Sequence, residues 1–259
     1  AYARPGTDEC LLKGFYPRIY DKGLEPTQAL SDYYMTYVER DLRTISNIHN
    51  INLFHKFVRL CAGRAGQLLN LSSLANDTGI SHSTAREWMA LLQESYIVFL
   101  LEPFFRNIGT RLVKTPKLYF YDVGLASMLL GIESLVQVKT HPLRGNLFEN
   151  MIVMELLKYR FNRVRTNNLS FFRNSRGNEI DCIYETAGRQ ALLEIKSAET
   201  VNADFFRGFD FFEKTTGAEA LLKILAYAGE RNEKRSGVYI SDIWGLPHLL
   251  DGLDHSPAS

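Results

Sequence analysis

Residues 178–197, NEIDCIYETAGRQALLEIKS, carry the pattern that decides the fold, because two apolar segments flank the pair Ala187-Gly188. Glycine readily adopts the positive φ that a tight turn requires, so the pattern predicts a β-hairpin that turns at this pair. Strand residues alternate between faces, and counting outward from the turn gives one apolar face and one charged face. The apolar face, which we expect to lie in a core, carries Ile180, Cys182, Leu193 and Ile195. A shift of one residue would mix the two sets, so their separation supports the register.

The second face of the hairpin carries charges that are costly in a buried strand. Its residues are Glu179, Asp181, Glu194 and Lys196. In the predicted register Asp181 lies opposite Glu194, and two facing carboxylates destabilise a hairpin unless a cation lies between them. Mg²⁺ prefers hard oxygen ligands of this kind, and it can polarise a phosphoryl oxygen and acidify a nearby water.

The charged face therefore predicts a site for phosphodiester hydrolysis, with Asp181 and Glu194 as metal ligands and Mg²⁺ or Mn²⁺ as the cofactor. Lys196 follows Glu194 by two residues and shares its face, so it is expected to be a catalytic residue that orients water or offsets phosphate charge. The alternative is a solvated face on which Glu179 and Lys196 form an ordinary cross-strand ion pair. The residue pattern leaves both interpretations open.

The composition is that of a globular protein, with 46% hydrophobic and 23% charged residues, and the net charge is +1. A protein that binds nucleic acid by bulk electrostatic attraction is usually far more basic, so any contact with DNA has to depend on local patches. The three cysteines lie far apart without metal-ligand spacing, which favours a reduced, cytoplasmic chain. The longest apolar runs are too short to span a bilayer, so no membrane partner is expected.

Residues 69–105, LNLSSLANDTGISHSTAREWMALLQESYIVFLLEPFF, predict two helices with a turn at Gly79 between them. Ser81 or Ser83 can cap the second helix, which is expected to bury Trp88. An apolar run, a basic loop and another apolar run come next. Helix, turn, helix and two strands around a basic loop resemble a winged helix-turn-helix.

The predicted wing is the basic loop over residues 106–116, between strands at 97–101 and 118–121. Its basic residues, together with one on the second helix, are candidates for phosphate contacts. The candidates are Arg86, Arg106, Arg111, Lys114 and Lys117. Winged helices also serve as protein-docking and linker modules, so a structural or protein-binding role stays open.

A long helix is predicted before the charged hairpin. Glu149 on this helix, Asp181 on the first strand and the Glu-Ile-Lys of residues 194–196 on the next strand resemble the PD-(D/E)XK nuclease pattern. Ile180 stands where that pattern has proline. The resemblance implies a restriction-endonuclease-like α/β domain over residues 140–259, with Glu149 as a further catalytic residue.

More of the chain resembles the C-terminal portion of prokaryotic AAA-type ATPases that end in a domain of unknown function. The matching stretches are YYMTYVERDLR (33–43), KLYFYDVGLASMLLG (117–131), GNLFENMIVMELLKYR (145–160), FFRNSRGNEIDCIYE (171–185) and LLEIKSAET (192–200). Such families carry an ATP-binding P-loop domain on the N-terminal side, but this chain contains no G-x-x-x-x-G-K-[ST]. The resemblance implies a C-terminal fragment that does not hydrolyse ATP, with the missing domain as the ATP site and as a partner.

Together these patterns predict a mixed α/β chain with a winged helix-turn-helix domain followed by a restriction-endonuclease-like domain. The Gly- and Pro-rich residues 1–26 are expected to form an extended lead-in from the missing ATPase domain. Residues 27–135 are assigned to the helical and winged-helix domain, and residues 140–259 to the nuclease-like domain.

Three functions are compatible with the sequence: a Mg²⁺-dependent nuclease module of a DNA-acting ATPase, a non-catalytic module that grips DNA or a partner protein, and a regulator that binds DNA through its winged helix. Assembly as a homo-oligomer is compatible with each. In the nuclease hypothesis Arg173 and Arg176 lie with other basic residues along a phosphate path, or alternatively on a solvated rim. The other residues are Lys158, Arg160, Arg163 and Arg165.

Overall fold

The structure is a computed structural model that describes residues 4–37, 48, 50–104, 112–186 and 188–255. This part of the chain has a mixed α/β architecture with a three-stranded and a six-stranded sheet. The chain divides into two compact units, of which the first comprises residues 1–100 and 118–151 and the second residues 101–117 and 152–259. Over the described ranges, no helix combines the length and the apolarity needed to cross a membrane.

The first unit is mainly helical. Its elements are α1 (Thr7–Lys13), α2 (Pro17–Lys22), α3 (Pro26–Thr36), α4 (Ile51–Ala62), β1 (Gln67–Leu68), α5 (Leu71–Thr78), α6 (His82–Glu94), β2 (Val98–Leu101), β3 (Lys117–Phe120), α7 (Val123–Leu129) and α8 (Leu135–Thr140). The divisions between the units fall within the next helix, α9 (Arg144–Phe161), and at one end of β2 and of β3, because Leu101 and Lys117 belong to the second unit. In the three-stranded sheet, β3 lies between β1 and β2.

The N-terminal residues form packed helices instead of the expected extended lead-in. Helix α1 buries Cys10 and Leu11, and Ser127 on α7 donates a hydrogen bond to the carbonyl oxygen of Leu11 at 2.7 Å. The N–H of Phe15 donates to the carboxylate of Asp122 at 2.7 Å. The glycines that suggested an extended segment instead follow the last residues of α1 and α2, where they end each helix.

The helix pair α5–α6 forms as the sequence predicts. Gly79 ends α5 with a φ of 89°, in the left-handed region that favours glycine. Ser81 caps α6 by accepting the N–H of Thr84 at 3.0 Å. Trp88 and Leu92 on α6 are buried, so the apolar face of the second helix is the one expected.

The second unit is built on the six-stranded sheet. Its elements are β4 (Leu169–Arg173), β5 (Glu179–Thr186), β6 (Arg189–Lys196), a 3₁₀ turn (Ala203–Phe206), α10 (Arg207–Thr216), β7 (Leu222–Tyr227), β8 (Glu233–Arg235), β9 (Val238–Ser241) and α11 (Leu246–His255). The strand order is β4-β5-β6-β7-β9-β8, in which β6, β7 and β9 are parallel and the other neighbours antiparallel. Strands β5 and β6 therefore lie inside the sheet.

The β5–β6 hairpin has the predicted register near its turn, but the pairs predicted beyond Cys182, Asp181 with Glu194 among them, are not part of the observed strand pairing. Its pairing runs from Cys182 opposite Leu193 down to the turn, where Gly188 has a φ of 76°. The four residues of the predicted apolar face are all buried. Ile180, however, belongs to the same core cluster as Ile183 and Leu192 of the other predicted face, so the predicted alternation is not kept between Ile180 and Cys182. The charged face is also covered, because Ile183 and Leu192, which continue that face, belong to a buried cluster with phenylalanines of α10.

The connection between β2 and β3 differs from the predicted wing. The N–H of Phe104 donates to the carbonyl oxygen of Phe171 at 2.7 Å, and the N–H of Val113 donates to that of Arg173 at 3.0 Å. Phe171 and Arg173 belong to β4, so both described limbs of the connection lie along an edge strand of the six-stranded sheet. Burial explains this placement, because Phe104 enters the apolar core of the second unit.

Candidate acidic site

Asp181 on β5 meets Glu194 and Lys196 of β6 on one face of the sheet. Lys196 Nζ lies 3.0 Å from Asp181 Oδ2 and 2.7 Å from Glu194 Oε2, so the ammonium group bridges the two carboxylates. Asp181 Oδ2 also accepts the backbone N–H of Ile195 at 2.7 Å. Asp181 is 8% exposed and Glu194 6% exposed, which excludes a solvated face for this acid pair. The structure therefore brings together the three hairpin residues that the sequence predicts as a site.

The electrostatics of the site favour positive charge between the two acids. Loss of solvation raises the pKa of Glu194 to about 8, and the negative charge of Asp181 adds to this shift. The ammonium group of Lys196 opposes the shift without cancelling it. Burial lowers the pKa of Lys196, but the two carboxylates outweigh burial and hold that pKa above its usual range.

The chemistry of the acid pair fits a hard divalent cation. Mg²⁺ commonly takes one or two carboxylates from the protein and completes its shell with water and phosphate oxygens. Within the described part of the chain, no three His, Cys, Asp or Glu side chains are grouped so that they could hold a metal ion. The protein would therefore contribute two ligands, Asp181 and Glu194.

Glu179 at the start of β5 has partners other than Lys196, with which the sequence pairs it. Its Oε1 forms an ion pair with Lys117, and its Oε2 lies 3.2 Å from Arg173 Nη1. Lys117 is 3% exposed, and its Nζ lies 5.4 Å from the ring centre of Phe171. Lys117 thus lies in the interior of the second unit and not on an exposed phosphate-binding loop, because Glu179 supplies the partner that a buried cation requires.

Glu149, predicted as a catalytic acid, lies on α9 in the first unit. Its Oε1 accepts a hydrogen bond from Tyr119 Oη at 2.6 Å. The next residue, Asn150, is fully buried and bonds the N–H and the carbonyl oxygen of Phe120 at 2.7 and 2.8 Å. This turn of α9 is therefore attached to β3 within the first unit, whereas the three hairpin residues belong to the second.

The predicted nucleic-acid-binding residues have different environments. Arg86 is exposed on α6, Lys114 is exposed in the β2–β3 connection, and Arg176 is exposed in the turn between β4 and β5. Arg173 is engaged with Glu179. Two further candidates lie outside the described residues, Arg106 and Arg111.

Two aspartates of α11 attach the C-terminal helix to the rest of the second unit. Asp254, whose side chain is 0% exposed, forms an ion pair with Arg165 and accepts a hydrogen bond from Tyr184 Oη at 3.0 Å. Asp251 forms a second ion pair with Arg163 at 2.7 Å. The sequence places both arginines along a possible phosphate path, but in the structure each forms an ion pair with an aspartate of α11.

Gly208 on α10 lies directly against the acidic site, a role that the sequence does not predict. A Cβ at this position would overlap Glu194 Oε1 and would lie 3.0 Å from the carbonyl oxygen of Glu179. Glycine therefore allows the first turn of α10 to lie directly against the Glu194 carboxylate. The available signal is a glycine inside the aromatic helix pattern FFRGFDFFEK, because glycine in a helix costs about 1 kcal/mol relative to alanine.

Two mycobacterial proteins are similar to this chain, "Uncharacterized protein Mb2031c" of Mycobacterium bovis and "Uncharacterized protein Rv2008c" of Mycobacterium tuberculosis. Each is 29% identical over 191 residues, which cover 73% of this chain and 42% of the relative. The chain thus spans less than half the length of these relatives. Among solved structures, protein VC1899 from Vibrio cholerae aligns with 98% of this chain and 57% of its own at 10% identity and a TM-score of 0.32, which is too low to support a conclusion.

Two family models match the chain. One, Domain of unknown function DUF8612, matches residues 4–136, which is slightly more than half of the 259 residues. The other, Domain of unknown function DUF4143, matches residues 144–249. The chain therefore belongs to the DUF8612 family and carries a DUF4143 match in its C-terminal part.

Proposed function

We propose that the second unit is a Mg²⁺- or Mn²⁺-dependent phosphodiesterase that acts on DNA and has a restriction-endonuclease-like fold. The observation that carries this proposal is the acid pair: Asp181 and Glu194 are buried on one face of adjacent strands and share one ammonium group. Buried carboxylates in this arrangement are costly unless a cation offsets them. Phosphodiester hydrolysis is a reaction that uses a cation held in this way.

In this proposal Asp181 and Glu194 hold the cation, and the N–H of Ile195 keeps the Asp181 carboxylate oriented toward β6. A bound divalent cation would polarise a phosphoryl oxygen and acidify a nearby water. Lys196 is beside both carboxylates and partly exposed. When a divalent cation binds the acid pair, the ammonium group of Lys196 would orient the attacking water or offset the charge that develops on the phosphate.

Several features support DNA and an ATPase domain as partners. The helix pair α5–α6 and the sheet order β1-β3-β2 support a winged-helix fold, on which Arg86 is exposed for phosphate contact. Lys114 and Arg176 are further exposed cations. DUF4143 is typically found in AAA-ATPase-associated regions, and the match spans 42% of each mycobacterial relative, which leaves room for an ATP-binding domain. The three cysteines are far apart in the sequence and lack metal-ligand spacing, which supports a cytoplasmic location.

A cleavage assay tests the nuclease proposal. Plasmid and single-stranded DNA are incubated with the protein and Mg²⁺ or Mn²⁺, beside Asp181→Asn and a matched control, Asp204→Asn. Asp204 is an exposed acid of the same unit that pairs with Arg207. We expect cleavage by the wild type and the control and its loss in Asp181→Asn. Cleavage that persists in Asp181→Asn would place the activity outside the acid pair.

A second candidate is a non-catalytic binding module, and the position of Lys196 favours it. Its ammonium group already bridges Asp181 and Glu194, so the protein itself supplies a cation to the acid pair. Calorimetric titration with Mn²⁺ separates the two candidates. The nuclease proposal requires Mn²⁺ binding that Asp181→Asn abolishes, whereas the binding module predicts no heat of binding in either protein.

A further inference from the structure

The loop that follows β7 folds back over the ring of Tyr227, the last residue of that strand. The Tyr227 hydroxyl accepts the N–H of Arg231 at 2.8 Å and donates to the carbonyl oxygen of the same residue at 3.0 Å. A Cβ at Gly229 would lie 2.3 Å from the tyrosine ring, so only glycine allows the loop backbone to approach it this closely. A single buried side chain thus fixes the backbone on both sides of the Arg231 Cα atom.

This loop is attached next to the end of the strand that carries Lys196. Lys196 and Tyr227 are register partners on the parallel strands β6 and β7, so their side chains project to the same face of the sheet. The pairing continues beyond both strands, because the N–H of Ala228 donates to the carbonyl oxygen of Ala198 at 3.1 Å. Neighbouring strands lie about 5 Å apart, so the tyrosine that holds Arg231 is beside the lysine that bridges the acid pair.

Arg231 also differs in its electrostatic environment from the arginines of the second unit that have an acidic partner. Those arginines are Arg163, Arg165, Arg173, Arg207 and Arg235. Arg231 is exposed, and within the described ranges it takes part in none of these ion pairs. An exposed guanidinium on a fixed backbone is suited to phosphate, because its planar fork can donate two parallel hydrogen bonds to phosphate oxygens.

We infer that Arg231 binds a backbone phosphate of DNA beside the acid pair, and that Tyr227 is the positioning residue that holds Arg231 there. The inference rests on the proposed function, which supplies DNA as the ligand. Arg231 contributes to binding and takes no part in the chemical step. Its replacement should therefore raise KM and leave kcat nearly unchanged.

Fluorescence anisotropy of a labelled DNA duplex tests the phosphate contact, with EDTA present so that no cleavage occurs. Arg231→Gln should weaken binding about tenfold. It should also lower the slope of log K against log salt by about one, since one phosphate contact is lost. Arg231→Lys keeps the charge and should keep the slope. Arg235→Gln on β8 makes the same charge change at an arginine that is paired with Glu233, so it is the matched control and should bind as the wild type does.

A double-mutant cycle tests the role of Tyr227. Tyr227→Phe keeps the ring and removes the hydroxyl, so it should weaken DNA binding about threefold. In the Arg231→Gln background the same change should have no further effect, because the hydroxyl acts through the arginine. A tyrosine that only packs the loop would have equal effects in both backgrounds, and that result would overturn its positioning role.

The outcomes separate this inference from the proposed function. Equal affinities and slopes in Arg231→Gln and Arg235→Gln overturn the inference, and cleavage that Asp181→Asn abolishes then leaves the proposed function standing. The expected loss of slope in Arg231→Gln, without cleavage by the wild type in Mn²⁺, overturns the proposed function and supports the phosphate contact. If Tyr227→Phe does not fold, the comparison of Arg231→Gln with Arg235→Gln decides, because both replace exposed side chains.

Discussion

The Asp181 side chain extends the backbone hydrogen bonding between β5 and β6, because its Oδ2 accepts the N–H of Ile195 at 2.7 Å. The same oxygen lies 3.0 Å from Lys196 Nζ. One carboxylate therefore has a structural role toward the main chain and an electrostatic role toward the ammonium group. Substitution can separate the two roles, since asparagine keeps an acceptor oxygen and loses the charge.

Asp181→Asn is expected to fold and to lose Mn²⁺ binding. Its amide oxygen can still accept from Ile195, so the free energy of unfolding should fall by about 1 kcal/mol or less. Asp181→Ala leaves that buried N–H without its acceptor and should lose about 1–3 kcal/mol. Urea unfolding measures both variants, and calorimetry measures Mn²⁺ binding. Equal losses of stability would contradict the structural role of the side chain.

Lys196→Met is expected to destabilise the protein and to make its stability depend on divalent cations. The variant leaves Asp181 and Glu194 facing each other without the ammonium group, and the loss should be about 2–4 kcal/mol, since Lys196 is partly exposed. Mn²⁺ should therefore raise the melting temperature of this variant more than that of the wild type. Thermal unfolding with and without Mn²⁺ measures the difference, with Lys214→Met, at an exposed lysine of α10, as the control. A smaller Mn²⁺ effect in Lys196→Met would show that the cation does not replace the ammonium group.

Stability is expected to fall as the pH rises from about 4.5 to about 8. Burial raises the pKa of Glu194 from 4.5 to about 8 in the folded protein, so the folded state keeps a proton that the unfolded state has already released. Wherever the folded state binds more protons, an increase in pH favours unfolding. Above about pH 8 both states are ionised at this residue and its contribution becomes constant.

Glu194→Gln provides the comparison for this pH dependence, because glutamine has nearly the same shape and does not titrate. The free energy of unfolding, measured in urea at intervals between pH 5 and pH 9, should fall more steeply in the wild type than in the variant. The difference in the free energy of unfolding between the wild type and Glu194→Gln should change with pH below about pH 8 and stay constant above it. Parallel curves over the whole range would show that Glu194 has an ordinary pKa in the folded protein.

Gly208→Ala is expected to weaken cation binding without weakening the helix. Alanine favours a helix by about 1 kcal/mol over glycine, but its methyl group would overlap the Glu194 carboxylate and displace it. Displacing a ligand in this way typically costs about 10- to 100-fold in metal affinity. Gly252→Ala on α11 is the matched control, because a Cβ there meets no atom within 4 Å. Calorimetry with Mn²⁺ compares the two, and wild-type affinity in Gly208→Ala would exclude close packing against Glu194.

The hairpin could be predicted from the sequence because its information is local. Gly188 marks the turn, and the alternation of apolar and charged residues predicts the register correctly as far as Cys182 opposite Leu193. The same is true of the helix pair α5–α6, where Gly79 and Ser81 mark the end of one helix and the start of the next. Turn and cap residues act on their own neighbours, so their effect can be inferred without the tertiary structure.

The place of the β2–β3 connection could not be predicted, since it depends on residues far away in the chain. Phe104 pairs with Phe171, and Lys117 binds Glu179, and neither contact leaves a periodic pattern in the sequence. The sequence does not distinguish a basic loop residue that faces solvent from one that pairs with a buried carboxylate. The N-terminal helices could not be predicted for a similar reason, because α1 is held by contacts with α7 such as that of Ser127.

Asp254→Ala is expected to destabilise the second unit by about 2–4 kcal/mol, because it leaves Tyr184 and Arg165 without their shared buried acceptor. Asp254→Asn should lose less, since its amide oxygen can still accept from Tyr184. Urea unfolding measures both, and Asp204→Ala, which breaks an exposed ion pair, should give no measurable change. Tyr184 lies on β5 with Asp181, so loss of this attachment should also increase amide hydrogen exchange in β5. Unchanged exchange in β5 would show that α11 does not support the strand that carries the acid pair.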